Sequence, residues 1–539
     1  MRVLVRVWCP TRWSSSLVTA SLAIAAACAL PECATAAVPA SVGESIYLRG
    51  VLGSGAPLAG TRESGGTSTQ GADAACVNCH QRSGLGSTEG RILIPPITGD
   101  YLFHGHVHGG DAPPLPYVES MHGNRSAYTP ATLARAIREG VDPEGRTLSS
   151  LMPRYALDDA DMGALVEYLK GLAVHRVPGV TPSELHFATI FTPDADPVKR
   201  RGVLDVLEHY IVEQHRLANR RWQLHVWQLT GPATTWRAQL EHHLQSEPVF
   251  AVLSGLAGSD WGPVHEFCEQ NAIPCLFPNV EVPVASDGDF YSLYFSKGVL
   301  LEAELIDTEL ARLARDAPRL AVVQVYRAGD SGQAAAHVLT TKLREQGLSV
   351  RDQILAAGGA SGRGVAAALR ETGKADALVL WLRPDDVAAL GSPPAVRHVY
   401  LSGLMGGLEV IPLPASWRGV ARLAYPFDTP DHRGAQLDYP LGWFSFRKIP
   451  IVAVHVQVDT YVACSLMAEV SEHLADRYVR PYLIEQLQGM VEHHLVTGYY
   501  PHLTLGHGQQ FASKGGYIAR LTEAHGSVQV VADSDWIVP

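Results

Sequence analysis

Cys76-Val77-Asn78-Cys79-His80 is the stretch on which the reading of this 539-residue chain turns. Thiols three positions apart lie one helical turn apart, so on a helix both sulfurs face the same way and the imidazole that follows is directed beside them. In that arrangement each sulfur can form a thioether with a vinyl group of a haem while the imidazole takes one axial face of the iron. A bare C-x-x-C also occurs as a structural disulfide or as half of a zinc knuckle. The chain contains no second C-x-x-C to complete a zinc cage, and neither alternative requires the adjacent histidine. Cys76 and Cys79 are therefore read as the covalent attachment points of one haem c, with His80 as an axial ligand.

The N-terminus agrees with that chemistry. Arg2, Arg6 and Arg12 precede an apolar run from Leu17 to Leu30 that is too short to span a bilayer, and Ala34-Thr35-Ala36 has the small-x-small form of a cleavage site. Residues 1–36 read as a secretory signal; a retained anchor is the alternative. No later window is apolar enough to cross a membrane, which leaves the mature protein without a transmembrane span. Losing Arg2, Arg6, Arg12 and Glu32 takes the formal charge from −11 to −13, a balance that excludes nucleic acid and anionic lipid as partners. Thioether attachment and export both belong to the bacterial cell envelope, so the expected location is the periplasm. In that oxidising compartment Cys268 and Cys275, seven positions apart, are expected to pair as a disulfide, and Cys464 reads as a buried small hydrophobe.

Residues 40–175 form the first expected domain. Ser45 to Gly55 is a short extended or helical lead and is followed by a Gly/Ser/Thr-rich loop; the thiol motif opens a helix, and Gly84, Gly86, Pro95 and Pro96 mark an irregular wrap behind it. Thr129-Pro130 starts a helix through Glu139, with threonine as cap and proline in the first turn. Asp158 to Leu172 is a second helix, apolar at Met162, Leu165, Val166 and Leu169. His104, His106 and His108 alternate in a Gly/Pro-rich stretch; extended backbone would put them on one face as a copper or zinc site, and a solvated surface loop is the default.

Between the two helices lies Leu148-Ser149-Ser150-Leu151-Met152-Pro153-Arg154-Tyr155. C-x-x-C-H, a loop methionine followed by proline, and a last helix ending in Tyr168-Leu169-Lys170-Gly171-Leu172 resemble the small soluble c-type cytochromes. That resemblance implies a small all-α domain with Met152 as the sixth iron ligand opposite His80. A thioether in that position raises the reduction potential and favours electron transfer over oxygen chemistry. Met121, Met162, His104, His106, His108 and His122 are the rivals for the same role.

Residues 176–184, with Pro178, Gly179 and Pro182, read as a linker, and the pattern then changes. Strands are expected near 185–191, 222–229, 249–254, 273–277, 320–326, 350–356 and 377–382, with helices between them, which means parallel sheets covered on both faces and, at this length, two lobes. Phe191-Thr192-Pro193-Asp194 before a long helix, Val252-Leu253-Ser254-Gly255 before Ser259, Asn271-Ala272-Ile273-Pro274, and Val323-Gln324-Val325-Tyr326 with Gly329 and Gly332 resemble, in their order, the type I periplasmic solute-binding proteins of the branched-chain amino-acid receptor kind over 185–539. Ligands of open α/β sheets sit beyond the carboxyl ends of strands. Thr192, Ser254, Gly255, Ser259 and Tyr326 are accordingly the cleft candidates, although Ser254 and Ser259 also suit helix caps and Tyr326 a core position. No acidic group for an amine is assigned by this reading.

Gly358-Gly359-Ala360-Ser361-Gly362-Arg363-Gly364 matches no nucleotide loop, and G-x-S-x-G and H-E-x-x-H are absent. Together these readings describe a multidomain electron-transfer and binding protein that is not an enzyme. It exchanges single electrons with a dehydrogenase or another cytochrome and binds an unknown small molecule. A solute receptor with an accessory haem and a peroxidase-like haem enzyme are the competing readings.

Overall fold

The computed structural model describes residues 41–539 except 63–65, 90–91, 105–125, 174–176, 218–219, 318, 359–361, 363, 374, 475–476 and 525–526. The signal segment, Met121, His106, His108 and His122 lie outside the described residues.

The first domain is built on three capped helices. Ser41 accepts the Glu44 N–H at the start of Val42–Arg49; Thr129 and Thr132 exchange side-chain-to-backbone hydrogen bonds at the start of Pro130–Glu139; Asp158 accepts the Asp161 N–H at the start of Asp159–Gly171. Met162, Leu165, Val166 and Leu169 are buried as their spacing predicts, and pack with Ile46, Leu133 and Ile137 into a core of their own. The domain is not purely helical. Ser68–Gln70, Ala59–Thr61 and Arg154–Tyr155 form a three-stranded antiparallel sheet, and Ser87–Glu89 pairs with Ile92–Ile94.

One local unit occurs twice. Helices Val42–Arg49 and Pro130–Glu139 both end at a left-handed glycine, Gly50 and Gly140, and both run into a tight turn closed by a bridge, Val51 to Pro57 and Val141 to Thr147. Gly55 and Gly145 share a φ of +83° at the same point of each turn, a conformation that favours glycine. Leu58 and Leu148 follow at equal distances.

The second part has two sheets. In the first lobe the order is Ser292–Leu293, Cys275–Leu276, Ala251–Leu253, Glu184–Phe191, Arg221–Gln228, all parallel. In the second lobe Ser349–Leu355, Ala321–Arg327, Ala377–Trp381, His398–Ser402 and Ala421–Tyr425 are parallel, and the hairpin Tyr517–Ala524/Ser527–Ala532 closes the edge antiparallel. Helix Val454–His473 returns to pack on helix Pro197–Leu217 of the first lobe, so the chain passes between the lobes three times. The segment expected to be a linker lies against the first lobe: the His186 N–H donates to the Gly179 carbonyl at 2.8 Å and Val180 bridges to Leu185.

The expected Cys268–Cys275 disulfide is corrected. Both are free thiols, fully buried in the apolar core of the first lobe and hydrogen-bonded to each other. That contact, followed by burial, pushes the Cys268 thiol up, so the neutral form is favoured. The loop between them is already closed by the Ile273 N–H on the Cys268 carbonyl at 2.9 Å. Cys464 is a fully buried thiol, as read from the sequence.

Candidate functional site

Cys76 stands at the head of the one-turn helix Val77–His80, and the His80 N–H bonds back to the Cys76 carbonyl at 3.0 Å. That turn aims both sulfurs and the ring into one cavity of about 760 Å³, within the range of about 300–1,000 Å³ usual for cofactor sites. Ile46, Leu58, Leu133, Leu148 and Leu165 give it apolar walls, so both halves of the repeated unit contribute a leucine. His80 is 6% exposed, and its Nδ1 is 2.9 Å from the Pro95 carbonyl oxygen. With the proton placed there, Nε2 keeps its lone pair for a metal, which is how an outer partner orients a ligating imidazole. Burial lowers the His80 pKa, so the ring is neutral and able to ligate. Burial also pushes the Cys76 thiol up to about 12.

Met152 lines the same cavity, its N–H held by the Ser149 carbonyl at 3.0 Å. Met162 is buried in the helical core and His104 is exposed, with its Nδ1 on the Asp100 carbonyl; neither reaches the cavity wall. Arg62 and Arg146 also line the wall, and Arg62 Nε is buried with no partner among the described residues. Two thiols, a neutral imidazole, a thioether and cations on an apolar cavity form a donor set that fits haem c, whose carboxylates suit the arginines. Nothing in the sequence marked Arg62, because it approaches the motif only through the sheet pairing of Thr61 with Arg154.

The cleft candidates divide. Ser259 and Tyr326 line one cavity of about 530 Å³ together with Val282, Asp330 and Ser331. Thr192 sits behind it: its hydroxyl donates to Asp194 at 2.5 Å, and Asp194 in turn accepts the Ser259 N–H and hydroxyl at 2.9 and 3.0 Å. Burial works against the charge on Asp194, yet these hydrogen bonds hold its carboxyl below the usual range. Ser254 and Gly255 do not reach the cavity. Ser254 is fully buried at φ +52°, accepts the Asn279 side-chain N–H at 3.0 Å and lies 3.2 Å from the Thr460 hydroxyl.

Sequence reading missed the charges beside this cavity. Arg383 donates to both oxygens of Glu281 at 2.8 and 2.7 Å and through Nε to Asp330 at 3.0 Å; Ser331 donates to Glu281 at 2.7 Å, and Lys199 of the first lobe approaches Glu281 at 3.8 Å. Burial opposes ionisation of Glu281, but Arg383 holds it below the usual carboxylate range. The partners are 50 to 102 residues apart, so no local spacing announces them.

The fold and site define a small unit, with two thiols, an imidazole and a thioether on one apolar cavity, joined to a two-lobed α/β module. The comparisons divide the chain the same way. The cytochrome c family model matches residues 69–173. Solved structures similar to the chain include a fatty acid ABC transporter substrate-binding protein from Thermomonospora curvata (17% identity, 68% of this chain and 95% of that one, TM-score 0.50). A branched chain amino acid ABC transporter from Thermus thermophilus with bound valine is 13% identical, with 66% of this chain and 97% of that one covered and a TM-score of 0.51. An ABC transporter substrate-binding protein from Sphaerobacter thermophilus is 14% identical, with 66% and 98% covered and a TM-score of 0.50. No curated protein matches. Residues 69–173 match the cytochrome c family model, and the two-lobed module has the fold of substrate-binding proteins.

Proposed function

We propose that this is an exported, non-enzymatic electron carrier: a single haem c, attached through Cys76 and Cys79 and ligated by His80 and Met152, mounted on a module that binds a small molecule or docks a redox partner such as a dehydrogenase or another cytochrome. The observation that carries the reading is that these four residues, up to 76 positions apart in the chain, line one apolar cavity. Haem c held there supplies one-electron chemistry. The chain's own part would be to orient the His80 ring through Pro95, exclude water with the leucine walls, and offer the Met152 thioether as a further ligand, a donor set that would favour electron transfer over peroxide chemistry.

The test is native mass and absorption of protein matured in a periplasm. Covalent haem with a low-spin ferric spectrum supports the carrier reading. A high-spin ferric spectrum with ready cyanide binding would favour the peroxidase-like alternative. A colourless mature chain sinks both. A receptor reading, with haem as an accessory, draws on the cavity beside Ser259 and Tyr326 and on the relatives' fold; a co-purified solute seen in the same mass measurement would favour it.

A further inference from the structure

The loop that follows His80 is seated in the wall of the first lobe. Ser83 is 1% exposed; its N–H donates to Glu485 Oε1 at 2.8 Å and its hydroxyl to Glu485 Oε2 at 2.5 Å, across 402 residues of chain. The same hydroxyl accepts the Leu85 N–H at 3.1 Å. Leu85, also 1% exposed, belongs to the large apolar core of the lobes and not to that of the haem unit. The Arg82 guanidinium lies over the Phe290 ring at 4.5 Å and the Tyr291 ring at 5.9 Å.

That loop is fastened to the haem side as well. The Tyr47 hydroxyl donates to the Gln81 carbonyl at 2.6 Å, and Gln81 itself is held at φ +63°. The Gly86 N–H reaches the His80 carbonyl at 3.4 Å, and the Ile97 N–H reaches the Gly84 carbonyl at 2.8 Å, next to the Pro95 that orients the ring. Segment 81–86 thus has the iron ligand at one end, contacts with the Pro95–Ile97 stretch that orients that ligand towards the other, and Glu485 in the middle.

We propose that Glu485 is a positioning residue for the haem iron: through Ser83 it fixes the loop that carries His80, so the first lobe sets the reduction potential. This rests on the haem reading above and names its regulation. The helix Arg480–Met490 that carries Glu485 is itself tied to the first sheet. Arg480, one turn earlier, donates to the carbonyls of Val249 and Phe250 at 2.6 and 3.0 Å and to those of Asn271 and Ala272 at 3.3 Å. Those residues lead into strands Ala251–Leu253 and Cys275–Leu276. The loop after His80 and the starts of two first-lobe strands therefore hang on one helix. The charged and titratable groups that face Glu485 are Arg82 and Tyr47 from the haem unit, with Tyr291 beyond Arg82. Burial pushes the Glu485 carboxyl up to about 7 against its hydrogen bonds from Ser83 and the charge of Arg82, so it holds the loop through those hydrogen bonds and not through a fixed charge.

The test uses full-length holoprotein carrying Glu485→Gln or Ser83→Ala. Glu485→Gln replaces one of the two oxygens that accept from Ser83 with an amide nitrogen that cannot accept, so the variant should hold covalent haem yet loosen the loop and shift the reduced-to-oxidised ratio at the wild-type midpoint at least threefold. Ser83→Ala keeps the Glu485 carboxyl but removes the hydroxyl that donates to it, which releases the loop and should change the axial-ligand bands of the spectrum. Wild-type midpoint and spectrum in both variants, even with lowered melting temperatures, would show that the contact is only structural and overturn the proposal. If Glu485→Gln fails to fold, Ser83→Ala alone decides by the same spectral criterion. A wild-type chain without covalent haem would instead sink the electron-carrier reading.

Discussion

Met152 and His80 differ in how firmly they are held. His80 is buried and braced by Pro95, whereas Met152 sits in a partly exposed loop beside Leu151, which is 41% exposed. Met152→Leu should therefore leave the covalent attachment intact and remove only the sixth ligand. The expected result is loss of the far-red band of methionine ligation, new cyanide binding, and a shift of at least tenfold toward the oxidised form, about 59 mV for one electron. Unchanged spectra would assign the sixth position to another residue. Glu302 gives a pH prediction. It is fully buried, accepts the Ser402 hydroxyl and the Leu404 N–H, and burial pushes its carboxyl up to about 8 against those hydrogen bonds. The folded value lies above the unfolded one, so its stability contribution is complete below about 4.5 and is lost as pH rises through about 8. Wild type should lose melting temperature relative to Glu302→Gln between about pH 5 and pH 8; parallel curves would mean that the carboxyl keeps its ordinary value. Residues 76–80 were singled out by spacing alone, because two thiols and an imidazole within five positions are a local pattern. Arg62, Glu281, Arg383 and Glu485 were not, because each acquires its role from a partner brought near only by the fold.

Helices with caps and apolar periodicity could be read almost to the residue. Pro130–Glu139 and Asp159–Gly171 begin and end within a residue or so of their expected bounds, since Thr129-Pro130 marks one start and Asp158 with the apolar stripe behind it marks the other. His398–Ser402, Ala421–Tyr425 and the closing hairpin were harder: short strands in a sheet covered on both faces have no alternation to show. The repeated helix-and-turn unit was hidden for another reason, because its two copies share only the glycines, a valine and a leucine that the geometry needs. The cap at Thr129 bears on the site directly, since helix Pro130–Glu139 supplies Leu133, Ala136 and Ile137 to the haem cavity. Thr129→Ala removes the acceptor for the Thr132 N–H and should cost about 1 kcal/mol. Denaturant unfolding of the holoprotein, followed at the haem absorbance, measures it; a loss near zero would mean that packing alone holds the first turn.

Residues Ala40–Pro539 form one compact unit, which changes what the two lobes can do to the haem. From the sequence, a haem domain on a linker leaves lobe closure free to alter haem exposure. In the structure the loop after His80 and the segment around Gly179 both lie on the first lobe. A movement of the second lobe therefore leaves the haem unit with the first, to which Ser83 and Glu485 fasten it. A joint core has a thermodynamic signature, because units that share buried apolar side chains unfold together. Leu85 is the residue to remove: it comes from the haem unit and is buried in the core of the lobes. Leu85→Ala should cost about 2–5 kcal/mol. Because the residue comes from the haem unit and its side chain fills the core of the lobes, the loss should appear equally in the transition followed by haem absorbance and in that followed by tryptophan fluorescence, to which the buried first-lobe Trp222, Trp227 and Trp261 contribute, with the two remaining coincident. Separate transitions in the wild type, or a loss confined to one probe, would show that the haem unit is an independent domain that merely touches its neighbour.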